Sequence, residues 1–160
     1  MRMLFLTTLL ALFSCNTIRN QEIVPVSAAF QKEMLQLVND QRAAGCTCGN
    51  EYFGPAKPLV WNPLLESAAS RHATDMHTNS FFDHKGSDGT RIADRLNDAH
   101  YEWQAVGENI AFGYDNMEEA VSAWINSPTH CELLMSPNFS EMGAAQSGLY
   151  WVQTFGNPLN

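Results

Sequence analysis

The chain has 160 residues, enough for one domain with a substantial hydrophobic core. Its formal net charge is −8, with 9 Lys and Arg against 17 Asp and Glu. Because the few basic residues are scattered, this composition argues against a nucleic-acid surface and against a polybasic patch for anionic lipid.

Residues 1–15 are predicted to be a signal peptide of the lipoprotein type. A short basic start precedes an apolar run from Leu4 to Phe13, which is too short to span a bilayer. The end of this segment, Leu12 to Cys15, resembles the bacterial lipobox, although Phe13 replaces the usual small residue. The resemblance implies cleavage before Cys15 and lipidation of that residue, and a plain signal peptide cut nearby is the alternative. Both interpretations place the protein outside the cytoplasm, secreted or anchored to the membrane through lipid at Cys15.

Residues 16–27 are rich in polar side chains and predict a short tether, which leaves residues 28–160 as the domain. Export favours one disulfide among the remaining cysteines. A bond between Cys46 and Cys48 would close a strained ring. A bond from either of them to Cys131 would close a long loop and restrict the unfolded chain by about 4 kcal/mol. The residues alone leave both of these pairings open.

Periodicity and capping residues predict several helices in chain order. Ser27 caps the first helix, which runs to about Ala44 and is ended by Gly45. Residues 46–60 are expected to form a loop. A second helix starts at Asn62-Pro63 and carries an apolar stripe that includes His72, which we interpret as a core or cleft-edge histidine. The remaining helices are a short third one that starts near residues 88–90 and buries Ile92 and Leu96, a fourth from Asn116, and a further turn from Ser127 that carries His130 and Cys131.

The C-terminal part changes to strand periodicity. Residues 142–146 and 149–155 predict a β-hairpin around Ser147-Gly148, and residues 105–112 predict a further strand. Helices come first and strands come late, which indicates an α+β fold with layered elements.

Three side chains stand out as candidates for chemistry. His84 lies just before a glycine-rich turn, and His130 lies at the start of a short helical turn. Glu108 is a carboxylate within an otherwise apolar strand, so it needs a partner such as an imidazole or a metal ion. Asp83, the neighbour of His84, is a candidate to orient that imidazole.

Six motifs in this order resemble the bacterial branch of the CAP superfamily, which contains the cysteine-rich secretory, antigen 5 and pathogenesis-related proteins. The resemblance extends from about residue 28 to residue 156. The motifs are Trp61-Asn62-Pro63-Leu64-Leu65, the Phe-Phe-Asp-His-Lys-Gly-Ser-Asp-Gly loop from Phe81, Gly-Glu-Asn-Ile-Ala from Gly107, Ala-Trp-Ile-Asn-Ser-Pro-Thr-His-Cys from Ala123, Phe139-Ser140-Glu141-Met142-Gly143, and Gln153-Thr154-Phe155-Gly156.

The resemblance implies a three-layer α-β-α sandwich with a short central antiparallel sheet and an open cleft. Matched by motif, His84, Glu108 and His130 correspond to cleft residues that bind a divalent metal in some members. The family's second glutamate falls at Ser127 here, so this chain departs from the pattern. The family match also implies that Cys48 pairs with Cys131 and that Cys46 is left over.

The three candidate side chains can be interpreted as a metal site or as a structural network. His84, Glu108 and His130 with one water would make an open site for zinc or another divalent cation, and a hydrogen-bonded structural network is the alternative. No organic cofactor is indicated.

We favour a non-catalytic module that binds a metal, a small ligand or an extracellular protein or glycan partner. The alternative is a metal- or His-dependent extracellular hydrolase acting on peptide or cell-wall material, although the sequence lacks a standard nucleophile motif.

Overall fold

The computed structural model describes residues 25–159, so the predicted signal peptide, Cys15, most of the tether and the last residue lie outside the described part. Within that part, the helices are α1 (Ala28–Ala44), α2 (Pro63–Asn79), α3 (Ile92–Asp98), α4 (Met117–Asn126) and α5 (Pro128–Met135). The strands are β1 (Cys46–Cys48), β2 (Glu51–Phe53), β3 (Val60–Trp61), β4 (Trp103–Phe112), β5 (Glu141–Ser147) and β6 (Tyr150–Pro158).

Helix boundaries follow the capping residues that the sequence contains. Ser27, Asn62 and Asn116 each accept a hydrogen bond from a backbone N–H two or three residues later, and so satisfy donors that have no partner inside the helix. At the end of α1, Gly45 takes a φ of 72°, which a residue with a side chain rarely adopts. The predicted starts of α1, α2 and α4 are confirmed.

Two local predictions were wrong. Residues 46–60, expected to be a loop, contain the antiparallel hairpin of β1 and β2 and the first residue of β3. These strands have two or three residues each, too few to show a period in the sequence. Helix α3 begins at Ile92 and not near residues 88–90. Asp88 accepts hydrogen bonds from the backbone N–H and the hydroxyl of Thr90. These contacts form a turn at residues 88–90, and the helix starts after this turn.

The hairpin turn also differs by one residue from the prediction. Ser147 pairs with Tyr150, so the two turn residues are Gly148 and Leu149 and not Ser147 and Gly148. Gly148 has a φ of 57° and occupies the first turn position, where a glycine suits a type II′ hairpin.

Four strands form the central sheet in the order β3-β5-β6-β4. Strands β4, β5 and β6 are antiparallel, and β3 adds a two-residue parallel edge to β5. Helix α2 covers one face, where it packs on β5 and β6, and α1, α4 and α5 cover the other face. The three-layer α-β-α sandwich and the mainly antiparallel sheet are therefore confirmed.

Alternation along the strands sends side chains to the two layers in turn. In β6, Val152 packs under α2, whereas Trp151 and Phe155 pack with α1 and α4. Gly143 in β5 faces α2 so closely that a Cβ atom there would lie 2.5 Å from the carbonyl carbon of Leu65. This close approach fixes α2 against β5.

Candidate functional site

Glu108 is the carboxylate around which the site is built. It lies in the middle of β4, opposite Thr154 of β6, and points to the face that α2 covers. Its side chain is only 2% exposed. A carboxylate this deeply buried requires partners, as the sequence indicated.

Glu108 has two partners, one for each oxygen. Nη2 of Arg95, from α3, donates to Oε2 at 2.6 Å. Nδ1 of His84, from the loop between α2 and α3, donates to Oε1 at 2.8 Å. Arg95 also donates to the backbone carbonyls of His84 and Thr90, at 3.4 and 3.2 Å, so one guanidinium fixes both the carboxylate and the loop that carries His84.

Glu108 is held in its ionised form. Burial alone raises the pKa of this carboxyl, but the hydrogen bond from His84 and the charge of Arg95 outweigh burial and keep the pKa below its usual value. An ionised carboxylate can only accept hydrogen bonds, so Nδ1 of His84 carries the proton. A neutral His84 therefore has its lone pair on Nε2, and the side chain is 48% exposed.

His72 is a further member of this network. It is fully buried on α2, its Nε2 donates to the carbonyl oxygen of Asp83 at 2.8 Å, and the same nitrogen lies 4.0 Å from Oε1 of Glu108. Burial lowers the pKa of His72, so the ring is neutral at pH 7. Its other nitrogen, Nδ1, has no hydrogen-bond partner among the described residues. The interpretation of His72 as a core or cleft-edge histidine agrees with this placement.

Asp83 does not orient His84, contrary to our expectation. Its carboxylate accepts from the backbone N–H of Lys85 at 2.8 Å and closes the turn after the loop. Glu108 of β4 orients the His84 ring instead, by accepting a hydrogen bond from Nδ1.

His130 approaches from the opposite side, on the first turn of α5. Asn109 of β4 donates to its carbonyl at 3.2 Å and ties the helix to the sheet beside Glu108. Burial, and then the charge of nearby His84, lower the pKa of His130. The ring is therefore neutral at pH 7 and free to act as a ligand or hydrogen-bond partner.

The three predicted metal ligands are thus partly brought together. His84 and Glu108 are in direct contact. Over residues 25–159, three candidate ligand atoms lie within 4.8 Å of one another only at Cys46, Cys48 and Cys131, so His130 does not join the other two within that distance.

A cleft of about 330 Å³ opens beside His130. Phe82 and Phe112, both about half exposed, line one side, with ring centroids 6.1 Å apart. Trp124 forms part of its floor, and Ser127, at the position of the family's second glutamate, also lines it. The cleft therefore offers one imidazole and an aromatic wall, without a second carboxylate at Ser127.

Three cysteines lie where the β1–β2 hairpin meets α5, and Cys131 is next in sequence to His130. Cys48 and Cys131 form a disulfide, which is the pairing that the family resemblance implied. Cys46 is the free cysteine among the described residues.

The fold and the site together define an α-β-α sandwich protein in which a buried glutamate holds an exposed histidine. The cysteine-rich secretory protein family (CAP) matches residues 35–155. The chain therefore belongs to this family, which confirms the resemblance drawn from its motifs.

Relatives and solved structures agree with this assignment. The chain is 30% identical over 130 residues to the uncharacterized membrane protein YlbC of Bacillus subtilis (strain 168), an alignment that covers 81% of this chain and 35% of that protein. An extracellular protein of Bacillus anthracis str. Ames that contains an SCP domain has a similar structure, with a TM-score of 0.65 and 24% identity over 84% of this chain and 45% of that one. An outer surface protein of Borrelia burgdorferi gives a TM-score of 0.63 and 20% identity over 82% of this chain and 91% of that one.

The chain thus spans about a third of the length of YlbC, and the two structural likenesses show the fold. Across residues 25–159, no helix is long and apolar enough to cross a bilayer.

Proposed function

We propose that this CAP domain works outside the cytoplasm as a non-catalytic binding module that holds a divalent cation between His84 and His130, beside the cleft that His130 lines. The extracellular and outer-surface descriptions of the Bacillus anthracis and Borrelia burgdorferi proteins support the location. A lipid anchor at Cys15 would keep the domain at the membrane surface.

The observation that carries the proposal is the hydrogen bond from Nδ1 of His84 to Glu108, at 2.8 Å. A carboxylate that fixes one nitrogen of an imidazole and leaves the other nitrogen free is the usual arrangement around a metal-bound histidine. His130 supplies a second neutral imidazole, and imidazoles are good ligands for Zn²⁺. A bound cation would supply positive charge with open positions for ligands in the cleft.

Glu108 fits the role of an orienting group better than that of a ligand or a general base. Both of its oxygens already accept hydrogen bonds, and it is almost fully buried. A general base must reach the proton that it removes. This reasoning favours binding over hydrolysis. A small extracellular ligand, a peptide or a glycan would then lie along the aromatic wall of Phe82 and Phe112.

Calorimetric titration with zinc tests the proposal. The wild-type chain is expected to bind one zinc ion with a Kd of about 1 μM or lower, which corresponds to about −8 kcal/mol. The double variant His84→Ala/His130→Ala should lose this binding while keeping its circular dichroism spectrum. His100→Asn is the matched control, because His100 is exposed and asparagine tolerates its positive φ of 59°.

Two results would contradict the proposal. One is a folded wild-type chain that does not bind zinc. The other is a double variant that binds as tightly as the control. In either case, the cluster around Glu108 would serve only to join α3 and the loop to the sheet.

A further inference from the structure

Three sulfur atoms meet where the β1–β2 hairpin lies against α5. The Sγ atom of Cys46 lies 3.3 Å from Sγ of Cys131 and 3.7 Å from Sγ of Cys48. Cys48 and Cys131 are bonded to each other and buried, with exposures of 2% and 0%. Cys46 is only half-buried. A free thiol thus contacts both sulfurs of a disulfide that solvent barely reaches.

We propose that Cys46, Cys48 and Cys131 form a thiol–disulfide exchange site, in which Cys46 connects the buried bond to small thiols in the surrounding solution. This proposal is independent of the metal site. It rests on the contacts of Cys46 with both bonded sulfurs and on the difference in exposure between Cys46 and the bonded pair.

The first step is an internal exchange with no net oxidation. The Cys46 thiolate attacks Sγ of Cys131, so the Cys46–Cys131 bond forms and the Cys48–Cys131 bond breaks. Cys48 leaves with the electron pair and takes up the proton that Cys46 released. The free thiol has then moved from position 46 to position 48.

The second step uses a small thiol as reductant. Its thiolate attacks the half-buried sulfur of Cys46, which forms a mixed disulfide and releases Cys131 as a thiol. A second molecule of the small thiol then attacks the mixed disulfide. The products are Cys46 as a thiol and the oxidised dimer of the small thiol, so two electrons have passed to the protein.

The geometry shows which movement the exchange requires. The two distances from Cys46 differ by only 0.4 Å, so its sulfur lies beside the bond and not on its extension. Rotation of the Cys46 side chain brings the sulfur into line. Burial, opposed by a hydrogen bond with Gln41, raises the pKa of the Cys46 thiol, so the protonated form prevails at neutral pH and exchange is slow.

Cys131 is the shared partner in both disulfides. Because it stays bonded during the internal exchange, α5 and the adjacent His130 stay attached to the hairpin. Zinc binding at the histidines should therefore be the same in both isomers.

Reduction kinetics test the site on the full chain, with Cys15→Ser in every variant to leave three cysteines. Glutathione is the reductant, and the loss of the disulfide is followed by alkylation and mass spectrometry. Cys46→Ser should slow the reduction about tenfold, since the buried bond then has no relay. Thr47→Ala, an exposed neighbour on the same strand, should reduce at the wild-type rate. Loss of stability cannot imitate the slowing, because local unfolding would accelerate reduction.

A second variant tests the alternative bond directly. Cys48→Ser should form a Cys46–Cys131 disulfide, and peptide mapping should find no alkylated Cys131. Equal reduction rates in Cys46→Ser and the wild type would overturn the proposal. So would two free thiols at positions 46 and 131 in folded Cys48→Ser.

Discussion

Glu108→Gln removes one negative charge from the buried network that holds His84 and leaves the size of the side chain almost unchanged. The carboxylate accepts from Arg95 at 2.6 Å and from His84 at 2.8 Å. The side chains of Arg95 and Glu108 are only 1% and 2% exposed. Replacing the carboxylate with an amide therefore leaves the guanidinium charge buried without its counter-ion.

The expected cost follows from this burial. Removing one partner of a buried ion pair destabilises a protein by about 3–5 kcal/mol. Arg95 keeps two backbone carbonyl acceptors, those of His84 and Thr90, so the lower end of that range applies. We expect Glu108→Gln to lower the free energy of unfolding by about 3 kcal/mol. Zinc affinity should also fall about 10- to 100-fold, because the orientation of His84 is lost.

Urea unfolding at pH 7 measures the first effect, and a double-mutant cycle identifies its cause. Arg95→Met removes the buried charge, so Glu108→Gln/Arg95→Met should cost less than the sum of the two single variants by about 2 kcal/mol or more. Asp98→Asn is the control, because it breaks the exposed pair with Arg71 and should cost less than about 1 kcal/mol. Additive single effects, or a cost of Glu108→Gln no larger than that of the control, would refute the reasoning.

Gly143→Ala should destabilise the protein by about 3 kcal/mol in the same urea assay, because its Cβ would lie 2.5 Å from the carbonyl carbon of Leu65. Gly54→Ala is the control. A Cβ there would meet nothing within 4 Å, so this variant should change stability by less than about 1 kcal/mol. Equal effects of the two alanines would contradict the packing of α2 on β5. His72 has a folded-state pKa below its usual value of about 6.5, so its contribution to stability is present above that pH and is lost as the pH falls. His72→Gln keeps a donor for the carbonyl of Asp83 but does not titrate. The variant should therefore lose less stability than the wild type between about pH 7.5 and 5.5. An equal loss would show that other groups govern the acid response.

The helices and long strands could be predicted because their signals are local. Caps such as Ser27 and Asn62 are followed by apolar stripes that a helix explains. Strand β4 contains a carboxylate within an apolar run, and the need for a partner follows from that fact alone. The short strands β1, β2 and β3 gave no such signal, since two or three residues show no period.

Arg95, the second partner of Glu108, was missed because arginine is usually exposed. Nevertheless, the sequence contained a sign of it. In α3, Arg95 follows Ile92 by three residues and precedes Leu96, so it lies on the apolar stripe of the helix. Arg42 shows the same pattern in α1, four residues after Val38, and it is also buried, with backbone carbonyls as its acceptors. A basic residue on an apolar stripe is therefore a sign of a buried polar contact.

The buried pair of Arg95 and Glu108 defines geometry more than it adds stability. An ion pair at this depth gains little net free energy, because the cost of removing both charges from water offsets their attraction. What the pair does determine is the position of His84, since Arg95 holds the carbonyl of that residue while Glu108 holds its ring. Two contacts on opposite ends of one residue restrict both its backbone and its side chain. His84 is thus fixed from inside the protein while Nε2 remains available from outside, which is the arrangement that a binding site on a rigid scaffold requires.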